Sequence, residues 1–289
     1  MMRTLWRASW RWVLIVGLLW TGVSPASAQT SNVAEQVEAL RIHLLTAQLQ
    51  PDEATANLSR AAQIYQTALE ESIAAAAPDV NAHILGAFDD ARKALEAGNM
   101  VAYAAARAQI WTGLLHAAYR MATEAVDAGD KATAQQWLPV REFRHATRFS
   151  HPRADATLAI VRLGEGGMDA ASVRQAVDAD LLDAYQARLR EALTALTAAE
   201  AQAHSVRRAE LAGLAAGYFA ILTPAFAKAK GEVAAEETAA LFAKLLAAAR
   251  NGESIQAFTP LVEKALENFQ AAPLTPAEQA RRAAQMVRF

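Results

Sequence analysis

The sequence predicts an all-α protein, a bundle of many helices that forms either one core or two packed helical halves. Three observations favour this fold class. After residue 28 the chain is rich in Ala, Leu, Glu, Gln and Arg, which all favour helices. Val and Ile are sparse there, and no stretch alternates polar and apolar residues with the period of a strand. Residues that start and stop helices recur along the chain.

The first 28 residues have the layout of a cleavable secretory signal peptide. Three arginines form a basic start, residues 12–20 (WVLIVGLLW) are apolar, and small residues end at Ala28. An uncleaved membrane anchor is the alternative, but a transmembrane helix needs roughly 20 apolar residues. We therefore expect residues 29–289 to be exported to the periplasm or the extracytoplasmic face of the membrane.

Composition excludes several classes of function. The chain contains no cysteine, so it has no disulfide, no thiolate metal site and no iron–sulfur cluster. Its formal net charge is −2, and loss of the three leader arginines makes the mature chain more acidic, at −2 − 3 = −5. A mildly acidic protein has no general attraction to nucleic acid, so we expect no nucleic-acid partner.

Five helices are expected in an N-terminal half, residues 29–150. Short polar side chains suit their first positions, proline suits a first turn, and glycine suits their ends. The expected helices run from Ser31 to about Gln48, Pro51 to near Pro78, Asp79 to Gly98, Asn99 to Gly129, and Asp130 to Arg148 with a kink at Pro139.

A break at Ser150-His151-Pro152 separates these helices from a C-terminal half, residues 151–289. The second half repeats the helical style, with a loop at residues 164–167. The expected helices are a short one after Asp155, then Asp169 to about Asp178, a long one to about His204, one through Phe226, Glu236 to Arg250, Ser254 to Gln270, and Pro276 to Val287.

One stretch of the second half needs a comparison with membrane spans. Residues 211–227 carry no charge. Glycine, alanine, threonine and proline keep this stretch only modestly hydrophobic, and charged residues close both ends. We expect a buried core helix here, and no transmembrane span in the mature chain.

The densest polar cluster lies between the two halves. On a helix, Arg141, Arg144, His145 and Arg148 would share one face, with Arg153 close behind in sequence. One interpretation is a site for an anion or a carboxylate chelate, because guanidinium groups bind carboxylates through two hydrogen bonds. The other is an internal network of ion pairs with acids on a facing helix. The candidate acids are Asp89, Asp90, Asp178, Asp180 and Asp183.

The same cluster offers a weaker hypothesis of a metal site. Glu142 and His145 are three residues apart, so one helix could present both to one ion, with His151 and Asp155 completing the ligands. Di-iron bundles use two such Glu-x-x-His pairs, and the mature chain has one. A surface histidine is the simpler interpretation.

Nothing in the sequence indicates an enzyme. There is no glycine-rich phosphate loop, no Gly-x-Ser-x-Gly and no His-Glu-x-x-His. The larger aromatic residues of the mature chain are expected in the core and at its edge. They are Trp111, Tyr119, Trp137, Tyr185, Tyr218 and Phe219.

Four segments of the chain carry a resemblance to a known family. The strongest is QQWLPVREFRHATRFSHPRADATLAIVRL, and it is followed by DADLLDAYQARLREAL, GLAAGYFAILTPAFA and LTPAEQARRAAQMVRF. In this order they resemble the extracytoplasmic N-terminal region of bacterial high-affinity iron permeases. The likeness covers most of residues 99–289 and is weaker before them. In that family a membrane part with Arg-Glu-x-x-Glu motifs carries transport. No Arg-Glu-x-x-Glu occurs in this chain. Residues 141–145 begin like that motif but read Arg-Glu-Phe-Arg-His, with histidine in place of the second glutamate.

The resemblance implies an accessory extracytoplasmic domain of an iron uptake system, either part of a longer permease or a free-standing partner of one. Such a domain would bind iron or an iron chelate, or hand it on to a membrane permease or another uptake component. No cofactor is certain, and iron is the candidate. The alternative is a helical scaffold that binds no ligand and docks a protein partner.

Overall fold

Short polar residues begin the helices in the computed structural model, which describes residues 32–143, 155–164 and 167–272. The side chains of Asn32, Asn99, Asp130 and Asp169 each accept a hydrogen bond from a backbone N–H two or three positions further along. These bonds satisfy amides that a helix start leaves without partners. Asn32 caps the first helix, one residue after the expected Ser31, which lies outside the described residues together with residues 1–30.

The described residues form twelve α-helices, and their only β-type pairing is one isolated bridge between Leu163 and Met168. The all-α prediction is therefore confirmed. The helices are α1 Val33–Leu49, α2 Ala54–Ala68, α3 Glu70–Ala76, α4 Pro78–Glu96, α5 Met100–Asp127, α6 Lys131–Trp137, α7 Asp155–Val161, α8 Ala170–Thr197, α9 Ala199–Ala203, α10 Ser205–Lys230, α11 Glu232–Arg250 and α12 Thr259–Ala265.

Three expected boundaries are wrong. The helix expected up to Pro78 breaks at Leu69, whose backbone leaves helical geometry between α2 and α3. The helix expected through Arg148 ends at Trp137, because Pro139 lacks the N–H that another turn requires. The break expected near Asp178 does not occur, since its carboxylate binds Arg174 and Tyr119 instead of capping a new helix.

The C-terminal elements also differ from expectation. The helix expected from Ser254 to Gln270 is shorter, since α12 spans only Thr259–Ala265. In the other direction, α10 contains Pro224, as expected, and continues past the expected end at Phe226 to Lys230. The helix expected at residues 276–287 lies outside the described residues.

Two long helices, α5 and α10, lie at the centre of the bundle. They approach closely where small residues face each other. A Cβ added at Gly213 would come within 2.8 Å of the carbonyl oxygen of Ala105, and one at Gly217 within 1.9 Å of Oγ1 of Thr112. Gln109 also donates a hydrogen bond to the carbonyl oxygen of Gly213. The close approach of the two helices at Gly213 and Gly217 therefore fixes their register.

The apolar stretch noted in the sequence lies in α10. Within the described part of the chain, α10 is the one helix whose length and hydropathy would suit a membrane span. Its apolar window is 61% buried against other helices, as in the core helix of a bundle. The boundary between two helical halves stays a prediction, because residues 144–154 around it are outside the described ranges.

Candidate functional site

The connection after α6 crosses the bundle without helical structure. In this connecting segment, residues 138–143, Leu138 and Val140 are buried in the core. The next two side chains, Arg141 and Glu142, form separate polar contacts with different sets of helices. The segment is therefore held by apolar burial and by two charged groups.

Arg141 forms an ion pair inside the protein. Its Nη1 lies 3.3 Å from Oδ2 of Asp180 on α8, and only 6% and 9% of the two side chains are exposed. Its Nη2 donates to Oγ1 of Thr157 at 3.0 Å, and its guanidinium stacks 4.5 Å from the ring centre of Phe143. Burial lowers the pKa of Arg141, and the charge of Asp180 opposes this effect. Asp180 also accepts a hydrogen bond from the backbone of Ala156 in α7, so the pair ties three parts of the chain together.

Glu142 is bound by three helices at once. Its Oε1 accepts hydrogen bonds from the indole of Trp111 on α5 at 3.0 Å and from the hydroxyl of Tyr218 on α10 at 3.2 Å. Its Oε2 lies 3.2 Å from Nη2 of Arg188 on α8. Burial and the charge of Glu142 raise the pKa of Tyr218, so its hydroxyl stays protonated and donates. The carboxylate is thus held in one position by a cation and two neutral donors.

Glu142 forms part of the wall of a cleft of about 320 Å³. Helices α1, α5, α8 and α10 supply the other walls. The cleft combines three arginines and two glutamates with two aromatic residues. It is lined by Arg41, Leu44, Arg107, Ala108, Trp111, Glu142, Arg188, Glu210, Leu214 and Tyr218.

The three cleft arginines are held in different ways. Arg107 pairs with Glu210, and its Nε donates to Oε1 of Gln48 at 2.8 Å. Arg188 pairs with Glu142 and with Glu191. Arg41 pairs with Glu38 through two hydrogen bonds and lies 5.7 Å over the ring of Trp111. Arg107 and Arg188 are mostly buried, whereas 45% of the Arg41 side chain is exposed, so Arg41 is the accessible cation of the three.

The residues expected to form a site fall into two groups. Arg144, His145, Arg148, His151 and Arg153 lie outside the described residues. The described members are Arg141, Glu142 and Asp155.

The described members do not share one helical face. Because α6 ends at Trp137, Arg141 is not on a helix, and the expectation that it shares a helical face with Arg144 is wrong at that position. Arg141 instead pairs with Asp180, one of the candidate acids of the ion-pair interpretation. Asp155 is exposed at the start of α7. Within the described ranges, no three His, Asp or Glu side chains group as metal ligands. The roles expected in anion or metal binding stay predictions.

Sequence reasoning did not single out Arg41, Arg107 or Arg188, and it treated Trp111 and Tyr218 as core aromatics. A signal was available for Arg107, because it is the single charge in an otherwise apolar stretch of α5. Such a charge must find a partner when the helix is buried. Its partner on α10 could not be identified from sequence spacing alone.

Comparison with known families gives one match. Residues 28–272 match the family model described as the Iron permease FTR1 N-terminal domain. The match extends further toward the N-terminus than the resemblance seen in the sequence, and it ends before the segment LTPAEQARRAAQMVRF. No curated protein and no solved structure matches the chain significantly.

Proposed function

The chain belongs to the family of iron permease N-terminal domains, and from this membership we propose that it is the extracytoplasmic domain of an iron uptake system. There it binds iron or an iron chelate and hands it on to a membrane permease. The family is one of transporters rather than enzymes. The observation that carries the proposal is the match over residues 28–272, which covers nearly all of the chain after the leader.

The export signal supports the extracytoplasmic location. A basic start, an apolar run and small residues before Gln29 suit cleavage during secretion. Cell fractionation followed by N-terminal sequencing tests this point. We expect the exported form to begin at Gln29. A protein that retains its leader in the cytoplasm would contradict the proposed location.

An arginine-rich surface suits an iron–carboxylate chelate better than a bare iron ion. Guanidinium groups bind carboxylates, whereas bare iron prefers carboxylate and imidazole ligands. We assign chelate binding to Arg144, Arg148 and Arg153 in the segment that follows Glu142. Arg141 contributes from its buried pair with Asp180 by holding the start of that segment. Glu142, His145, His151 and Asp155 are the metal ligands of the alternative with bare iron.

Titration of the protein with ferric citrate, followed by calorimetry and metal analysis, tests this function. We expect binding that weakens when Arg148→Ala and Arg153→Ala are combined, with helicity unchanged by circular dichroism. Arg162→Ala is the control, because it removes an exposed arginine from the turn after α7. Equal binding by all variants would exclude the arginine surface, and iron retention without citrate would favour the bare ion.

A ligand-free scaffold that docks a protein partner is the second candidate. It is favoured by the exposed apolar side chains of Ile42, Leu45 and Leu49, which lie along one side of α1. A scaffold would retain only substoichiometric iron after incubation with Fe(II) or Fe(III), and its melting temperature would not change. Metal analysis and a thermal melt after this incubation therefore separate the two candidates.

A further inference from the structure

We propose that the cleft between α1, α5, α8 and α10 is a binding site for a small polycarboxylate anion of the citrate class. The proposal rests on the proposed function, because it names the carboxylate part of the chelate as the group that the domain recognises. Glu142, which lies in the wall of the cleft, comes two residues before the first of the predicted arginines in the sequence.

Two arginines of the cleft are fixed by neighbouring acids. Arg107 and Arg188 are held by acids from neighbouring helices, with only 15% and 17% of their side chains exposed. Little conformational entropy remains to be lost when such a side chain binds a ligand. A guanidinium also offers donors in a planar fork that matches a carboxylate. Among the described contacts Arg107 uses Nε for Gln48 and Nη2 for Glu210, so its Nη1 is the preorganised donor of that wall, whereas Arg188 binds Glu142 and Glu191.

The lining of the cleft contains three arginines and two glutamates, an excess of one positive charge. Glu142 binds Trp111, Tyr218 and Arg188, and Glu210 binds Arg107 together with Arg207 from outside the lining. Two acids outside the lining, Glu38 and Glu191, pair with Arg41 and Arg188, so the charges balance when all these partners are counted. Glu38 and Glu191 are about half exposed, so a ligand carboxylate can take their place.

Arg41 is exposed at the edge of the cleft. Its partner Glu38 is on the same helix, and both side chains are about half exposed. Exposed pairs of this kind contribute little to stability, roughly 0–1 kcal/mol. A ligand carboxylate can therefore replace Glu38 as the partner of Arg41 at small cost, while the ring of Trp111 keeps the guanidinium over the cleft.

The size of the cleft selects among carboxylate ligands. At about 320 Å³ it lies at the lower end of the range for ligand pockets, roughly 300–1,000 Å³. A small acid with two or three carboxylates fits this volume, whereas a large siderophore does not. Leu214, Trp111 and Tyr218 in the lining provide apolar contacts for its carbon chain.

Calorimetric titration of the protein with iron-free citrate tests the site. We expect binding that weakens about tenfold or more in Arg41→Gln, since a hydrogen-bonded ion pair to the ligand is lost. Arg92→Gln is the matched control. It removes the same charge from another exposed arginine that pairs with acids on its own helix, but it lies on α4 outside the cleft. Arg107→Lys keeps the charge and removes the fork, so it should also weaken binding.

Each outcome decides the proposal. Failure of citrate to bind the wild-type protein, or equal weakening by Arg41→Gln and Arg92→Gln, would overturn the cleft site. Circular dichroism of each variant shows whether it is folded, and Arg41→Gln changes only a half-exposed side chain. Iron retention from ferric citrate is measured in parallel. Iron retention without citrate binding would support the uptake role and overturn the cleft as a citrate site. Citrate binding without iron retention would support the cleft site and overturn the uptake role.

Discussion

The indole nitrogen of Trp111 donates a 3.0 Å hydrogen bond to Oε1 of Glu142, and this bond joins α5 to the connecting segment. The same carboxylate pairs with Arg188. Because both partners are mostly buried, loss of the negative charge would remove the buried acid from Arg188 and leave its pair with the more exposed Glu191. The structural role of Glu142 can thus be tested separately from ligand binding.

Substitution Glu142→Gln should lower the free energy of unfolding by about 1–3 kcal/mol, below the range for a fully buried pair. The amide keeps the size of the side chain and removes its charge. Urea denaturation measures the effect. Glu191→Gln is the control, because Glu191 binds the same arginine from an exposed position on α8. Equal effects of the two substitutions would contradict a special role for Glu142.

Substitution Gly217→Ala should destabilise the protein by about 1–3 kcal/mol or more. Its Cβ would lie 1.9 Å from Oγ1 of Thr112, so α5 and α10 would have to separate. Gly86→Ala, in the middle of α4, meets no atom within 4 Å and should be neutral or stabilising by roughly 0.5–1 kcal/mol. Thermal melts of both variants measure the difference. A similar change in melting temperature at both positions would show that helix propensity, rather than the contact with Thr112, determines the effect of the substitution.

Stability should fall as the pH drops from 6.5 toward 4. Burial, reinforced by Arg120, lowers the pKa of His116 from 6.5 to about 4. The unfolded chain therefore binds a proton in this window while the folded protein does not, and the loss amounts to at most about 3 kcal/mol. Above pH 6.5 the contribution is constant.

Urea midpoints at pH 7 and pH 5 measure the effect of His116. The difference should shrink in His116→Gln and persist in His204→Gln, which changes an exposed histidine. A pH dependence that is identical in both variants would assign the effect to other groups.

Substitution Tyr185→Phe should leave stability unchanged or raise it by up to about 1 kcal/mol. The side chain is fully buried, and its hydroxyl has no hydrogen-bond partner among the described residues. Tyr119→Phe is the counterpart, because the Tyr119 hydroxyl donates to Asp178 at 2.8 Å. That variant should lose about 1–2 kcal/mol. Destabilisation by Tyr185→Phe as large as that of Tyr119→Phe would reveal a partner for the Tyr185 hydroxyl.

Local signals in the sequence were enough for much of the fold. Asn99 and Asp130 begin helices as expected, because capping depends on residues a few positions apart. The end of α6 was missed, since Pro139 can either kink or stop a helix and the surrounding contacts decide. Asp180, the partner of Arg141, was only one of five candidate acids in the sequence.

The cleft could not be predicted in the same way. Arg107 and Glu210 are 103 residues apart, and their contact depends on the register between α5 and α10. That register is set by packing at Gly213 and Gly217, which no periodicity within a single helix reveals. The family resemblance, in contrast, depends on local segments and could be seen directly.

The close contact of Gly217 with Thr112 also bears on how the chain folds. These residues are far apart in sequence, whereas α1 with α2 and α4 with α5 are neighbours joined by short connections. Closing a long loop has a higher entropic cost than closing a short one, so the neighbouring hairpins should form first. The central helix pair is therefore expected to assemble late, and the apolar surface of α10 stays exposed to aggregation until it does.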